Sequence, residues 1–237
     1  MLVSIRYSVL SLVLILVFSI SACKRDDLSP EYQENLNSFA GVATFNAIEG
    51  SRNINFQIDQ KTLNQDNESF SIGGYLSHMT VFPGERNVQL THDTNAAVFF
   101  GKIFNFEASN LYSIFFYGKS DQNKDVKYIL TKDSLFATNQ GKIKLRIANL
   151  VSDNELSISF KDSKDVLNIK NQVTSFKERN HQQLILEVSG DKTANIQYET
   201  VAVNFSPVNR GVYTLVFYAE INSVSGVKEL KYNIIKH

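Results

Sequence analysis

The sequence predicts an all-β protein: two β-sandwich domains in tandem, carried behind a short export leader. Three observations predict it. Past Ser38, apolar residues recur at every second position rather than at helical spacing. Turn-forming clusters separate those runs at short intervals. The runs of the first half then recur about 100 residues later. With 17 Phe, 10 Tyr and 43% hydrophobic residues the chain can build cores, which excludes wholesale disorder.

The leader comes first. Arg6 supplies a positive start, and Val9 to Phe18 is aliphatic except for Ser11. This run falls short of the roughly 20 apolar residues of a membrane-spanning helix and fits the core of a secretory signal. Ile20-Ser21-Ala22-Cys23 follows, an aliphatic residue, two small residues and a Cys. It resembles the bacterial lipobox, which implies that residues 1–22 are a signal peptide and that Cys23 becomes the lipidated N-terminus. Two or three acyl chains, at about 0.8 kcal/mol per buried methylene, make such an anchor effectively permanent.

Lys24-Arg25-Asp26-Asp27 is a compact charged run. It resembles the export signal of surface-displayed lipoproteins of the Bacteroidota. Residues 28–38 lack periodicity, so 23–38 reads as lipidated Cys and flexible tether. Removing 22 residues from 237 leaves 215, and Arg6 leaves with the leader, so 23 basic residues face 24 acidic ones. A chain so close to neutral has no field to gather phosphates, which argues against nucleic acid as a partner. The single Cys excludes an internal disulfide and a multi-thiolate metal site.

The first sandwich is expected over 39–132. Ile54, Phe56 and Ile58 alternate with Asn55 and Gln57, and Val88 and Leu90 flank Gln89. A polar bridge over 133–141 is expected to link it to the second sandwich, 142–237. There Ile143, Leu145 and Ile147 alternate with Lys142, Lys144 and Arg146. Each pattern predicts a strand with one face in a core and the other in water. Glu49-Gly50-Ser51, Phe82-Pro83-Gly84 and Ser189-Gly190-Asp191 supply turns. The repeat is plainest near the end of each copy. Tyr112-Ser113-Ile114-Phe115-Phe116-Tyr117 matches Tyr213-Thr214-Leu215-Val216-Phe217-Tyr218, and hairpins return through Lys127-Tyr128 and Lys231-Tyr232. A domain of about 95 residues buries somewhat more than 60% of its unfolded surface, enough to fold without disulfides.

This layout resembles the bacterial family called domain of unknown function 4397, met in lipoproteins as tandem copies. The opening strand ends at Asn46 or Asn149, and the next alternating strand ends near Asp59 or Asp162. Gly74-Tyr75 leads on to Pro83-Gly84-Glu85-Arg86-Asn87-Val88, and a Tyr-Ser/Thr-aliphatic strand closes the pattern. Ala47-Ile48-Glu49-Gly50 lacks the Pro usual in the family's opening turn, and the second copy lacks the Gly-Tyr and Pro-Gly landmarks. The resemblance spans nearly all of residues 40–236 and implies two tandem Ig-like or transthyretin-like antiparallel β-sandwiches. It implies no activity.

No catalytic residue, cofactor site or metal site is expected. The four His residues, His78, His92, His181 and His237, lack metal-ligand spacing, and His78 with His92 is the one pair that adjoining strands could bring together. Asp121-Gln122-Asn123-Lys124-Asp125 starts like a calcium loop, but Val126 stands where Gly is needed and Lys132 where a bidentate Glu is needed. It reads as a solvated hairpin tip. Tyr75, Tyr117, Tyr128, Tyr218 and Tyr232 offer rings for stacking a sugar, although aromatics on strands mostly fill cores. Asp133-Ser134-Leu135 resembles the O-glycosylation site of exported Bacteroidota proteins, which would place a glycan on Ser134.

The expectation is an enzymatically inactive outer-membrane lipoprotein, held to the membrane through Cys23 and exposed at the surface rather than facing the periplasm. It would act as a binding or accessory module for a glycan, a peptide or a partner protein of the envelope. Loops 60–70, 91–97 and 119–126, or free strand edges, would make the contact. The alternatives are a structural spacer and a periplasmic glycan hydrolase, which needs two carboxylates facing each other across a cleft between the domains.

Overall fold

The computed structural model describes residues 38–237 except 65–69, 95, 120–124, 137, 153, 191–199 and 223–224. The expected signal peptide, Cys23, the run Lys24 to Asp27, the tether before Ser38 and residues 121–124 of the calcium-loop-like stretch therefore lie outside the described residues. So do parts of the loops 60–70, 91–97 and 119–126.

The described residues form strands and no helix. In the first half these are β1 (Ala40–Glu49), β2 (Ile54–Ile58), β3 (Lys61–Thr62), β4 (Tyr75–Val81), β5 (Gly84–His92), β6 (Val98–Phe106), β7 (Leu111–Lys119) and β8 (Lys127–Asp133). The second half holds β9 (Lys142–Asn149), β10 (Glu155–Phe160), β11 (Val166–Lys170), β12 (Gln172–Val173), β13 (Lys177–Asn180), β14 (Leu184–Gly190), β15 (Val201–Phe205), β16 (Val212–Ile221) and β17 (Lys228–Lys236).

The first half makes two sheets, β4-β1-β7-β8 and β3-β2-β5-β6. The second repeats them as β12-β9-β16-β17, with β13 also on β9, and β11-β10-β14-β15. Pairing is antiparallel except that β1 runs parallel to β7 and β9 to β16. The sequence repeat is also a register repeat. Phe116 lies opposite Tyr128 as Phe217 lies opposite Tyr232.

Period-two patterning fills the cores. Ile54, Phe56, Val88, Leu90, Ile114 and Phe116 are buried between the first two sheets. Leu156, Ile158, Leu186, Val188, Leu215 and Phe217 are buried between the other two. A third cluster joins the halves: Phe45, Ala47, Phe115 and Tyr117 pack on Ala148, Leu150, Val216 and Ile235. The sheets containing β1 and β9 thus lie back to back, giving four stacked layers within one compact unit, Phe39–His237.

That stacking corrects one expectation. From Arg146 onward the second face of β9 does not meet water: Arg146 is 2% exposed and Ala148 is fully buried, while Lys142 and Lys144 before them are half-buried. Alternation with charged residues reads as a solvated face, but a layer in the middle of a stack has none. Arg146 shows its origin in the register. It lies opposite Thr214, whereas the matching position in the first half, Ala43, lies opposite Ser113. One copy carries a methyl group where the other carries a cation.

Two polar devices recur in both halves. The Tyr112 hydroxyl accepts from the Glu107 backbone N–H at 3.1 Å, and the Tyr213 hydroxyl from that of Val208 at 2.7 Å. This is the tyrosine corner of Ig-like sandwiches. Asn46 donates to the Phe70 carbonyl at 3.0 Å, and its Oδ1 accepts from the Ile48 N–H at 2.9 Å. Asn149 does the same with the Ile169 carbonyl at 2.8 Å and the Val151 N–H at 3.0 Å. The family-like asparagines thus tie the chain where it leaves one sheet for the other.

The segment 133–141 is closely held at both ends. Asp133 closes β8 with its side chain fully buried, and Thr138 is buried and bonded to Glu178. Between them Ser134 and Phe136 are exposed.

Candidate functional site

Two features concentrate chemistry. The first is a buried polar joint between the halves, built around Arg146 on β9. Its Nη1 donates to Asp133 Oδ1 at 2.5 Å and to Thr131 at 3.1 Å, its Nη2 to Ser113 at 3.1 Å and its Nε to Thr214 at 2.7 Å. The rings of Phe176 and Phe115 flank the guanidinium at 4.5 and 5.3 Å. Ser113, Thr131 and Asp133 belong to the first half, and Thr214 and Phe176 to the second.

Burial by itself would raise the Asp133 carboxyl. The adjacent His78 ring, the Arg146 charge and the Ser113 hydroxyl outweigh it and hold the group well below the usual carboxylate range. Thr214 already accepts from Arg146, so its hydroxyl donates to His237 Nε2 at 2.7 Å. Burial, with the Arg146 charge, pushes His237 down to about 4, so the ring is neutral. Burial and the Asp133 charge push Tyr75 up to about 12. Every charge here is matched and enclosed, an arrangement that fixes two bodies together rather than one open to a ligand.

The second feature is open. On the free edge of the second sandwich a cleft of about 670 Å³ separates the two sheets. Its floor is Leu145, Ile147, Phe160 and Leu167. One lip is the turn after β10, with Lys164, Asp165 and Val166; the other is Thr174, Ser175, Lys177 and Arg179. The second lip has a local cause. β12 and β13 pair with separate stretches of β9, and the chain bulges between them. Thr174 bridges the gap, its Oγ1 accepting from the Ile147 N–H at 2.9 Å. Phe176 turns inward to Arg146 while Ser175 and Lys177 border the cleft.

The Arg179 guanidinium lies 3.5 Å from the centre of the Phe160 ring and 3.8 Å from Asp165. Val166 is 61% exposed at the mouth. Among the described residues, neither Lys164 nor Lys177 forms an ion pair. Chemically the cleft offers an apolar base, hydroxyls and an excess of positive charge.

Residues 40–156 match the family model described as domain of unknown function DUF4397. That segment is of the DUF4397 type. The match takes in the first sandwich and β9 and ends two residues into β10. No curated protein matches the chain. Among solved structures, a family CBM26 module from Eubacterium rectale Amy13K, in complex with maltoheptaose, aligns at 6% identity over 84% of this chain and 97% of that one, with a TM-score of 0.24. A candidate cell adhesion protein from Bacteroides uniformis aligns at 10% identity over 84% and 96%, with a TM-score of 0.17. Likenesses this distant carry no argument about what this chain does.

The structure places the sequence-derived candidates as follows. His78 and His92 do not meet, because β4 and β5 belong to different sheets. His78 lies 3.4 Å from Asp133 and its ring 6.0 Å from that of His237, while His92 packs on Phe99. His181 is exposed beside the Gly141 carbonyl. Tyr75, Tyr117 and Tyr218 belong to the core between the halves, and Tyr128 packs on the first core. Tyr232 is 37% exposed and packs against Phe217. These rings fill cores rather than form a platform. Ser134 is exposed immediately after β8, beside the buried Asp133.

Sequence reasoning found neither the joint nor the cleft. Both are made by residues distant in the chain. The local trace was Lys177-Glu178-Arg179, a charged run that interrupts the alternation of the second half.

Proposed function

We propose that this protein is a lipid-anchored module of the cell envelope whose four-layer unit holds out a binding cleft and performs no catalysis. The observation that carries the reading is the cleft of about 670 Å³ on the free edge of the second sandwich. Its volume falls within the roughly 300–1,000 Å³ of small-molecule sites, and its mixed apolar and polar lining fits recognition. Among the described residues Asp165 is its one lining carboxylate, and it already faces Arg179 at 3.8 Å, so a hydrolytic pair of carboxylates has no support there.

The lipobox-like Ile20-Ser21-Ala22-Cys23 supports the anchor, and Lys24 to Asp27 supports display at the outer face of the outer membrane. The partners are then the membrane, through Cys23, and a glycan, peptide or envelope protein taken by the module. Ser134, exposed between the halves, is the proposed O-glycosylation site.

The test has two arms. In intact cells, added protease should digest the wild-type protein and spare a Cys23→Ala variant retained inside. Protection of the wild type until the outer membrane is opened would refute surface display. The unit 39–237, which holds all three cores, should give hits on glycan, peptide and small-molecule arrays that disappear in Leu167→Glu. Silent arrays, or hits indifferent to that change, would reject the cleft as the binding site.

A further inference from the structure

Within that reading, the geometry of the cleft points to a class of ligand: we propose that it takes a small organic anion with an apolar body, an aliphatic or aromatic carboxylic acid.

The charge at the lips carries the first half of this inference. Lys164, Lys177 and Arg179 stand around one carboxylate, Asp165. Arg179 is only 18% exposed, lies against the Phe160 ring and reaches Asp165 at 3.8 Å. That leaves Lys164 and Lys177, both exposed and without an ion pair among the described residues, one on each lip. Two cations that face the same opening repel each other and are relieved by an anion placed between them.

The floor carries the second half. Leu167, half-buried, presents aliphatic surface above the buried Leu145 and Ile147, and Phe160 is capped on one face by Arg179 and otherwise buried, so a sugar ring has no bare aromatic face there to stack on. Burying an alkyl or aryl body over such a base is favourable at roughly 25 cal/mol per Å². Thr174 Oγ1 already accepts from Ile147, and its hydroxyl hydrogen remains to donate to an acid oxygen. A neutral glycan would leave the charge of the two lysines unmatched, and a cationic ligand would meet the lips' own charge.

The experiment is calorimetric titration of the 39–237 unit with decanoate, below its micellar range, and with 4-phenylbutyrate. Decyltrimethylammonium serves as the opposite-charge control. Saturable binding of one anion per chain is expected, weakened about tenfold or more in Lys164→Glu/Lys177→Glu, with no competition from the cation. Stronger binding of decanoate than of phenylbutyrate would assign an aliphatic ligand, and the reverse an aromatic one. The proposal is overturned if neither anion binds, if the cation binds as well as the anions, or if the double variant binds unchanged while its melting curve shows it folded. Loss of the anion arm alone rejects the ligand class. The binding reading itself falls only if the arrays are also silent or insensitive to Leu167→Glu.

Discussion

Arg146 and Asp133 face each other inside the protein, at 3% and 0% side-chain exposure. Taking either partner away strands a charge where water cannot reach it, which typically costs 3–5 kcal/mol. Arg146→Ala is therefore expected to lower unfolding free energy by about that amount in urea titrations. Arg146→Lys should recover only part of it, since an ammonium cannot serve Asp133, Ser113 and Thr214 in one plane. The same joint sets a pH dependence. An unfolded His237 takes up a proton near its ordinary 6.5, whereas the folded ring resists until about 4. Stability should hold above pH 6.5 and fall as pH drops through 6.5 to 4, by an amount of the order of 3 kcal/mol. The urea midpoint of the wild type should fall relative to that of His237→Gln as pH drops through that window. Asp133, held low, contributes stability at neutral pH that is lost only in stronger acid, below the ordinary carboxylate range.

At the scale of elements, the closing hairpins carry the repeat. Each tyrosine corner satisfies one backbone N–H with a side-chain oxygen, so Tyr112→Phe and Tyr213→Phe should each cost about 1 kcal/mol by chemical denaturation. Equal losses at the two sites would show that the halves use the device alike. Gly118, near the end of β7, sits at φ +110°, and a Cβ there would collide with the Asp125 carbonyl oxygen. Gly118→Ala is expected to cost more than about 2 kcal/mol, read as a lowered melting temperature, because backbone rather than a flexible side chain must move. The cleft also belongs to this scale. It exists because the edge of the third sheet is made by two short strands, β12 and β13, with a bulge between them, whereas β4 runs along the matching edge of the first half.

For the molecule as a whole, the core between the halves decides behaviour. Phe45, Phe115, Val216 and Ile235 would be exposed if the sandwiches separated. Lys228 and Glu49 pair across the same interface at 2.6 Å, and Asn233 donates to the Gly73 carbonyl at 2.8 Å. The 39–237 unit is expected to unfold in one transition, with calorimetric and van't Hoff enthalpies in agreement. Phe115→Ala should shift that single transition by about 3–5 kcal/mol rather than split it. Two separated transitions in scanning calorimetry would show that the sandwiches melt independently.

The sequence alone determined the class of structure, the repeat and the identity of most core residues. Ile54, Phe56, Ile58, Leu145 and Ile147 announce their burial because a strand alternates its faces with a period of two, a local property that needs no knowledge of neighbours. The matched Tyr112 and Tyr213 segments announce the duplication for the same reason. Only the tertiary structure decided what lies on the other face of each strand. Arg146 alternates with Leu145 and Ile147 as a solvent-facing residue would, and stacking sheet on sheet turned that face into interior, where the cation needs Asp133 from the other half. The cleft was hidden in the same way. Lys164 and Lys177 are ordinary surface lysines along the chain, and they face one opening because two sheets part at an edge that no local pattern records.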